Sequence, residues 1–322
     1  MTINTFSRWR RLWYARPDRQ RHLVRPVISV GNLSLGGRGK TPVVAHLARL
    51  LVDAGERPAI LTRGYARSRP EDGVVVVSDG THLLADVDRG GDEPLMLARA
   101  VPGASVLVCD DRALAGALAE RAFGATVHLL DDGFQHLQLA RDLDIVIITA
   151  ADLADRPVPM GRLRESVAAL AHADAVLVDG DVEAVATTAP VFALHRTLGA
   201  PVPLEPERPW RDHRGPVVAV AGIAQPDRFS RSLVADGWTV VETLGFGDHH
   251  PYTAADLARI SEVAARASAR VVTTEKDAMR LLPWRPLPVA MAAVPLTVTI
   301  DPAEAFRAWF FDRLHAVQHH VA

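Results

Sequence analysis

The sequence predicts an α/β protein: a mostly parallel sheet with helices on both faces, plus a smaller C-terminal α/β domain. Three observations carry this. From about residue 26 to residue 195, short β-branched runs alternate with helical patterns, the order that gives parallel strands joined by covering helices. Residues 198–216 then hold five prolines and few apolar residues, as a linker would. Beyond them strand and helix patterns resume at Val217 and end in a helix over 302–317. The expected organisation is a basic N-terminal segment 1–25, a core domain 26–197, a linker 198–216 and a smaller domain 217–322.

Composition bounds the class. A chain of 322 residues with 48% apolar residues and a net charge of −2 is large and apolar enough to fold, and its charge gives no sign of nucleic-acid binding. Cys109 is the single cysteine, which excludes a disulfide framework or a cysteine zinc site and suits a reducing compartment. No run reaches the ~18 apolar residues of a membrane span, and the N-terminus lacks the apolar core of a secretory signal.

The first 25 residues stand apart, with seven arginines against one acid, Asp18, and Phe6, Trp9, Trp13 and Tyr14 interleaved. Phe6, Trp9 and Trp13 share one helical face by their spacing. Arginine with tryptophan on a short amphipathic helix suits an anionic membrane surface. A solvated basic helix whose tryptophans pack on the domain is the equal alternative.

Next comes the stretch on which the rest is organised. Pro26–Val30 reads as a buried strand, and Val43, Val44, Leu47, Leu50 and Leu51 recur at helical spacing from Thr41 to Ala54. Pro42 fits the first turn of that helix and Gly55 its stop. Between strand and helix lie Ser34, Leu35, Gly36, Gly37, Arg38, Gly39, Lys40 and Thr41, a glycine-rich turn ending in Gly-Lys-Thr. Small residues let successive N–H groups converge on one cavity at a helix N-terminus, which suits nucleotide phosphates. This makes the core a P-loop NTPase-like sheet, with Lys40 expected on the β- and γ-phosphates of ATP and the Thr41 hydroxyl on Mg²⁺. Ser34 stands where the strict pattern has glycine. Only two of the 36 basic residues are lysines, Lys40 and Lys276, so Lys40 persists against a strong arginine bias, as a site needing a compact ammonium requires.

Further along, Pro58–Thr62 is a strand ending in Arg63-Gly64-Tyr65, with Arg67 and Arg69 after it. Loops at strand C-termini line the ligand crevice of a parallel sheet, so Arg63 and Arg67 are candidates for an anionic substrate group, or else solvated loop charge. Residues 74–77 form a strand, and Gly91-Asp92-Glu93-Pro94 opens a helix, where the acids either favour the helix N-terminus or serve catalysis. A strand at 105–108 and a helix at 111–122 follow. The next strand, 126–130, ends in Asp131-Asp132-Gly133-Phe134-Gln135-His136; a strand ending in aspartate is what a P-loop enzyme uses to hold Mg²⁺. Strands at 144–149 and 175–178 bracket the basic loop Gly161-Arg162-Leu163-Arg164-Glu165. In the second unit, strands are expected at 217–221, 238–241 and 270–273. Asp248-His249-His250 lies in a polar loop, Thr253 and Asp256 form a capping box before a helix over 254–267, and Thr274-Glu275-Lys276-Asp277 follows the last of these strands.

Taken in order, these blocks resemble the tetraacyldisaccharide 4′-kinases of lipid A biosynthesis, from about Val27 to the region of Lys276. The resemblance implies transfer of the ATP γ-phosphoryl to the 4′-hydroxyl of an acylated disaccharide 1-phosphate, at the cytoplasmic face of the bacterial inner membrane. It implies Lys40 and Thr41 on the phosphates and Mg²⁺, with Asp131, Asp132 and Glu165 around the metal. Asp92, supported by His249 or His250, is implied as the base, and Arg63, Glu93, Gln135 and His136 are assigned to the substrate. No nucleic acid and no protein partner is implied. Departures from the family pattern are Arg38 where threonine is usual, Ser166 where proline is usual, Ala224-Gln225 in place of Gly-Asn, and a shorter, arginine-rich N-terminal helix. Two other classes fit a P-loop: a GTPase or metallocentre chaperone, and a non-catalytic nucleotide-binding module. A guanine-specificity loop needs Lys and Asp separated by one residue, whereas Lys276 and Asp277 are adjacent, and a mere sensor leaves Asp92, Glu93, Glu165 and the histidines without work.

Overall fold

A computed structural model describes residues 3–36, 39–65, 67–210 and 215–321. Helix α1 (Ile3–Tyr14) precedes β1 (Val27–Asn32), which leads through the glycine-rich turn into α2 (Lys40–Asp53); β2 (Pro58–Thr62) and β3 (Val75–Asp79) follow. Then come α3 (Val87–Gly90), α4 (Asp92–Ala100), β4 (Ser105–Val108), α5 (Arg112–Phe123), β5 (Val127–Asp131) and β6 (Leu143–Thr149). The first unit continues with α6 (Ala150–Ala154), β7 (Ala175–Asp179) and β8 (Val191–Leu198). The second holds β9 (Val202–Pro203), β10 (Val217–Ala221), α7 (Pro226–Ala235), β11 (Val240–Gly245), α8 (Ala254–Arg266), β12 (Arg270–Thr274), α9 (Glu275–Leu281) and β13 (Met291–Val294). β14 (Leu296–Asp301) and α10 (Ala303–Val321) close the chain.

The larger sheet has the order β14-β8-β7-β6-β1-β5-β2-β4-β3, parallel except where β3 and β14 join antiparallel at its two edges. Every residue of β1, β2 and β5 is buried, as continuous apolar runs covered on both faces demand. β1 lies between β5 and β6, so the chain leaves it toward one edge and later returns on its other side. That reversal opens a crevice at the strand C-termini beside β1, the usual ligand position in such sheets. The smaller sheet has the order β11-β10-β12-β13-β9, with β9 antiparallel.

The expected division of the chain is corrected in two places. β9 lies within the predicted linker and pairs with β13 in the smaller sheet. β14, predicted to belong to the second domain, instead pairs with β8 from Leu296↔Leu198 to Asp301↔Ala193, and α10 packs on it. The reason is burial of an exposed sheet edge. Phe192 and Leu194 of β8 alternate with more exposed residues, as do Val298 and Ile300 of β14, and Phe306 packs edge-on against Phe192 at 5.1 Å. The second unit is therefore inserted between two neighbouring strands of the first. The strand expected at 238–241 begins later, because Trp238 is buried beneath α7 rather than extended in the sheet.

Candidate active site

Gly39 sits at φ 70° just before α2, a left-handed conformation that glycine adopts without cost, and it aims Lys40 back across the end of β1. Lys40 Nζ donates to Asn32 Oδ1 at 3.2 Å and lies 3.3 Å from Asp132 Oδ1. Ser34 is buried beside Asn32, Leu35 is half exposed, and Gly36 is at φ 98°. Gly37 and Arg38 lie outside the described residues. At Gly31 the reason for glycine is close approach: a Cβ there would fall 2.4 Å from that of Phe134, so only glycine lets the loop after β5 cross the end of β1.

That loop brings the two aspartates to Lys40 and Thr41. Asp131 is opposite Val30 in the parallel register and lies 3.5 Å from the Thr41 hydroxyl. It is buried, its Oδ1 has no hydrogen-bond partner, and burial, with Glu93 next, pushes its carboxyl up to about 7. A buried carboxylate oxygen with an open lone pair beside a threonine hydroxyl fits Mg²⁺, which takes one or two protein oxygens and completes its shell from phosphates and water. Among the described residues no three His, Cys, Asp or Glu side chains form a cage of their own. Asp132, at φ 58°, turns the other way, to Lys40 and to Arg164 at 3.0 Å, and these two cations hold its carboxyl below the usual range despite burial.

The other half is built where α4 meets the second unit. Asp92 is the first residue of α4, 3% exposed, and its Oδ1 accepts from the Glu93 N–H at 2.8 Å. Its Oδ2 meets His249 Nδ1 at 3.0 Å and the Arg280 guanidinium. Lys276 Nζ lies 3.0 Å from His249 Nε2, 3.1 Å from Asp248 and 3.4 Å from Glu93. Arg280 Nη2 lies 2.9 Å from His249 Nδ1, so each ring nitrogen faces a cation as well as a carboxylate. Burial, then Lys276, holds the imidazole below its usual pKa. Asp277 anchors the helix that carries both cations: it accepts from Gly222 N at 3.0 Å, Thr274 Oγ1 at 2.6 Å and Tyr252 Oη at 3.1 Å. Asp277 is thereby consumed in holding α9 and is closed to base recognition.

The family model described as tetraacyldisaccharide-1-P 4′-kinase matches residues 2–315. The chain belongs to the tetraacyldisaccharide-1-P 4′-kinase family. It is similar to the tetraacyldisaccharide 4′-kinase of Syntrophus aciditrophicus, 39% identical over 313 residues covering 87% of this chain and 82% of the relative. It is similar also to that of Geobacter metallireducens, 42% identical over 298 residues covering 88% and 87%. A crystal structure of LpxK from Aquifex aeolicus in complex with ATP superposes with a TM-score of 0.79 at 30% identity, covering 97% of this chain and 96% of that one.

In this 4′-kinase family member the candidate residues fall unevenly. Lys40, Thr41, Asp131 and Asp132 converge, as do Asp92, Glu93 and His249. His250 turns away, pairing with Asp256 at 3.0 Å and stacking on Phe246. Glu165 is held by Arg11 through bonds of 2.5 and 2.9 Å. Gln135 accepts from Arg164 at 3.3 Å and donates to the Asn32 carbonyl at 2.9 Å; His136 is half-buried near Arg112 and Arg141. Arg63 is exposed on Asp110 at 3.0 Å, whereas Arg67 packs against Gly64 and Gly91 with Nη1 buried and unpartnered. Asn32, Arg164, Arg280 and Arg11 are the contributors that sequence reasoning assigned no role. For Arg280 the signal was four-residue spacing from Lys276, which puts both on one helical face.

Proposed function

We propose that the chain transfers the γ-phosphoryl group of ATP to the 4′-hydroxyl of a tetraacyldisaccharide 1-phosphate. The observation that supports this most is the contact of the buried Asp92 with His249, contributed by two units, beside the cluster of Lys40, Thr41 and Asp131. The two groups are near enough that Glu93 is among the charges raising Asp131.

Lys40 and the backbone N–H groups of the turn hold the phosphates. Thr41 and Asp131 would hold Mg²⁺, with Asp132 beside them; bound there, the ion neutralises charge developing on the phosphate oxygens. Asp92 takes the proton of the acceptor hydroxyl as its oxygen bonds to the γ-phosphorus and the bond to the β-phosphate oxygen breaks. His249 and Arg280 together hold the Asp92 carboxylate in place. Because His249, Lys276 and Arg280 come from the second unit, closing the two units on each other assembles the base. Arg67, with its buried free nitrogen, is better placed than Arg63 to meet an acceptor anion. Work at an anionic membrane surface is supported by α1, whose Trp9, Leu12 and Trp13 are exposed beside its arginines. Among the described residues no helix is long and apolar enough to cross a membrane.

The test is an assay of purified protein with ATP, Mg²⁺ and detergent-dispersed disaccharide 1-phosphate. A 1,4′-bisphosphate product whose formation depends on the acceptor is expected. ATP turnover indifferent to the acceptor, or preference for GTP, would sink the reading.

A further inference from the structure

Helix α1 has two faces with different partners. Outward, Trp9, Leu12 and Trp13 are 47%, 73% and 42% exposed. Inward, Ser7 Oγ donates to the Arg164 carbonyl at 3.3 Å and Arg10 Nη2 to the Gln135 carbonyl at 3.4 Å. Arg11 grips Glu165 with both arms of its guanidinium, at 2.5 and 2.9 Å, and lies 4.3 Å over the Phe134 ring. The Arg11 and Glu165 side chains are only 11% and 7% exposed, so solvent screens the pair little.

The two segments that α1 ties together are those that build the phosphate site. Arg164, beside Glu165, reaches Asp132 at 3.0 Å, and Asp132 faces Lys40. Gln135, beside Phe134, bridges Arg164 to Asn32, which accepts from Lys40. A chain of direct contacts thus runs from the helix bearing these exposed tryptophans to the lysine of the phosphate-binding turn.

We propose that Arg11 is a positioning residue for phosphoryl transfer: by fixing Glu165 and the 164–165 segment against Asp132, it makes α1 part of the site as well as a surface anchor. The assignment of Lys40 and Asp132 to the phosphate and metal site rests on the function proposed above. A planar fork suits the task because it fixes the carboxylate in orientation as well as position. Without it Glu165 is left as a buried, uncompensated charge that must turn, hydrate or take a proton. A helix of 12 residues is marginal by itself, so these contacts also hold α1 in its folded form.

The experiment separates the two faces in the full-length chain. Arg11→Ala and Arg11→Lys are assayed with a water-soluble, short-chain acceptor. Each is titrated calorimetrically with Mn²⁺ and a non-hydrolysable ATP analogue, and tested for binding to vesicles of phosphatidylglycerol and phosphatidylethanolamine. Trp9→Ala/Trp13→Ala calibrates the loss of vesicle binding. Arg11→Ala is expected to lower turnover and Mn²⁺–nucleotide affinity roughly ten- to a hundredfold, as loss of a group orienting a metal-site carboxylate does, while keeping most of its vesicle binding. Arg11→Lys should not restore the loss, and guanidinium ion added to Arg11→Ala should restore part of it. Unchanged turnover and affinity in Arg11→Ala would overturn the proposal, as would a loss of vesicle binding matching that of the tryptophan variant with affinity intact. If Arg11→Ala does not fold, Arg11→Lys, which keeps the charge but not the fork, decides by the same readouts. If the unaltered chain transfers no phosphoryl group, the function proposed above fails, and the Mn²⁺–nucleotide titration still decides the role of Arg11.

Discussion

Asp92 and His249 meet at 3.0 Å although one opens a helix of the larger unit and the other lies in a loop of the inserted one. The second histidine of the pair, His250, is committed to Asp256 and the ring of Phe246. Asp92→Ala and His249→Ala should each depress turnover strongly with ATP affinity nearly unchanged. The double variant should be little worse than the worse single one, since the second change removes an interaction already lost. His250→Ala should act on stability more than on turnover. Steady-state kinetics with a nucleotide titration checks this; additive losses would show that Asp92 and His249 act separately.

Lys40 is held in the crevice by Asn32 and Asp132 and faces where phosphates would lie. Lys40→Ala should lose about 2.7–4 kcal/mol of transition-state stabilisation, a fall of roughly 10²–10³ in turnover. Lys40→Arg should not rescue it, because a planar fork cannot occupy the space of a compact ammonium. Measured turnover near that of the unaltered chain would end the assignment of the turn to catalysis.

Arg280 lies between the units, 9% exposed and paired with the buried Asp92 carboxylate. Replacing it by methionine leaves that carboxylate without its strongest partner. The expected loss is on the order of 3 kcal/mol, because a buried charge stripped of its counter-ion is more costly than the intact pair. A urea unfolding midpoint measured on the variant tests this, and one equal to that of the unaltered chain would show that Arg280 can be spared.

His136 gives a pH signature. Burial, with Arg112 and Arg141 after it, lowers its pKa from 6.5 to about 4. The unfolded chain therefore takes up the proton at higher pH than the folded one. The stability this group contributes is present above pH ~6.5 and is lost as pH falls toward ~4. His136→Asn should flatten the acid limb of a plot of melting temperature against pH over that window; an unaltered limb would place the titration elsewhere.

Much of this protein is legible in its sequence because the determining physics is local. The β1–turn–α2 unit is specified by a buried apolar run, glycines that permit its backbone and a helix started by Lys-Thr-Pro. Asp131 is legible because it ends a strand that must be parallel to β1. What residue order does not specify is which distant surfaces meet. β14 returns to the first sheet because the β8 edge has apolar residues to cover, a fact about an edge and not about a segment. The choice between His249 and His250 is made by which way the loop after β11 faces α4, with His249 itself at φ 57°. The choice for the inner side of α1 is made likewise: spacing shows a face with tryptophans, but only packing shows that Arg11 reaches a carboxylate beside Arg164 and Asp132. Helical and strand periods are read from neighbours in the chain. The pairing of buried charges depends on neighbours in space, and only the folded chain supplies those.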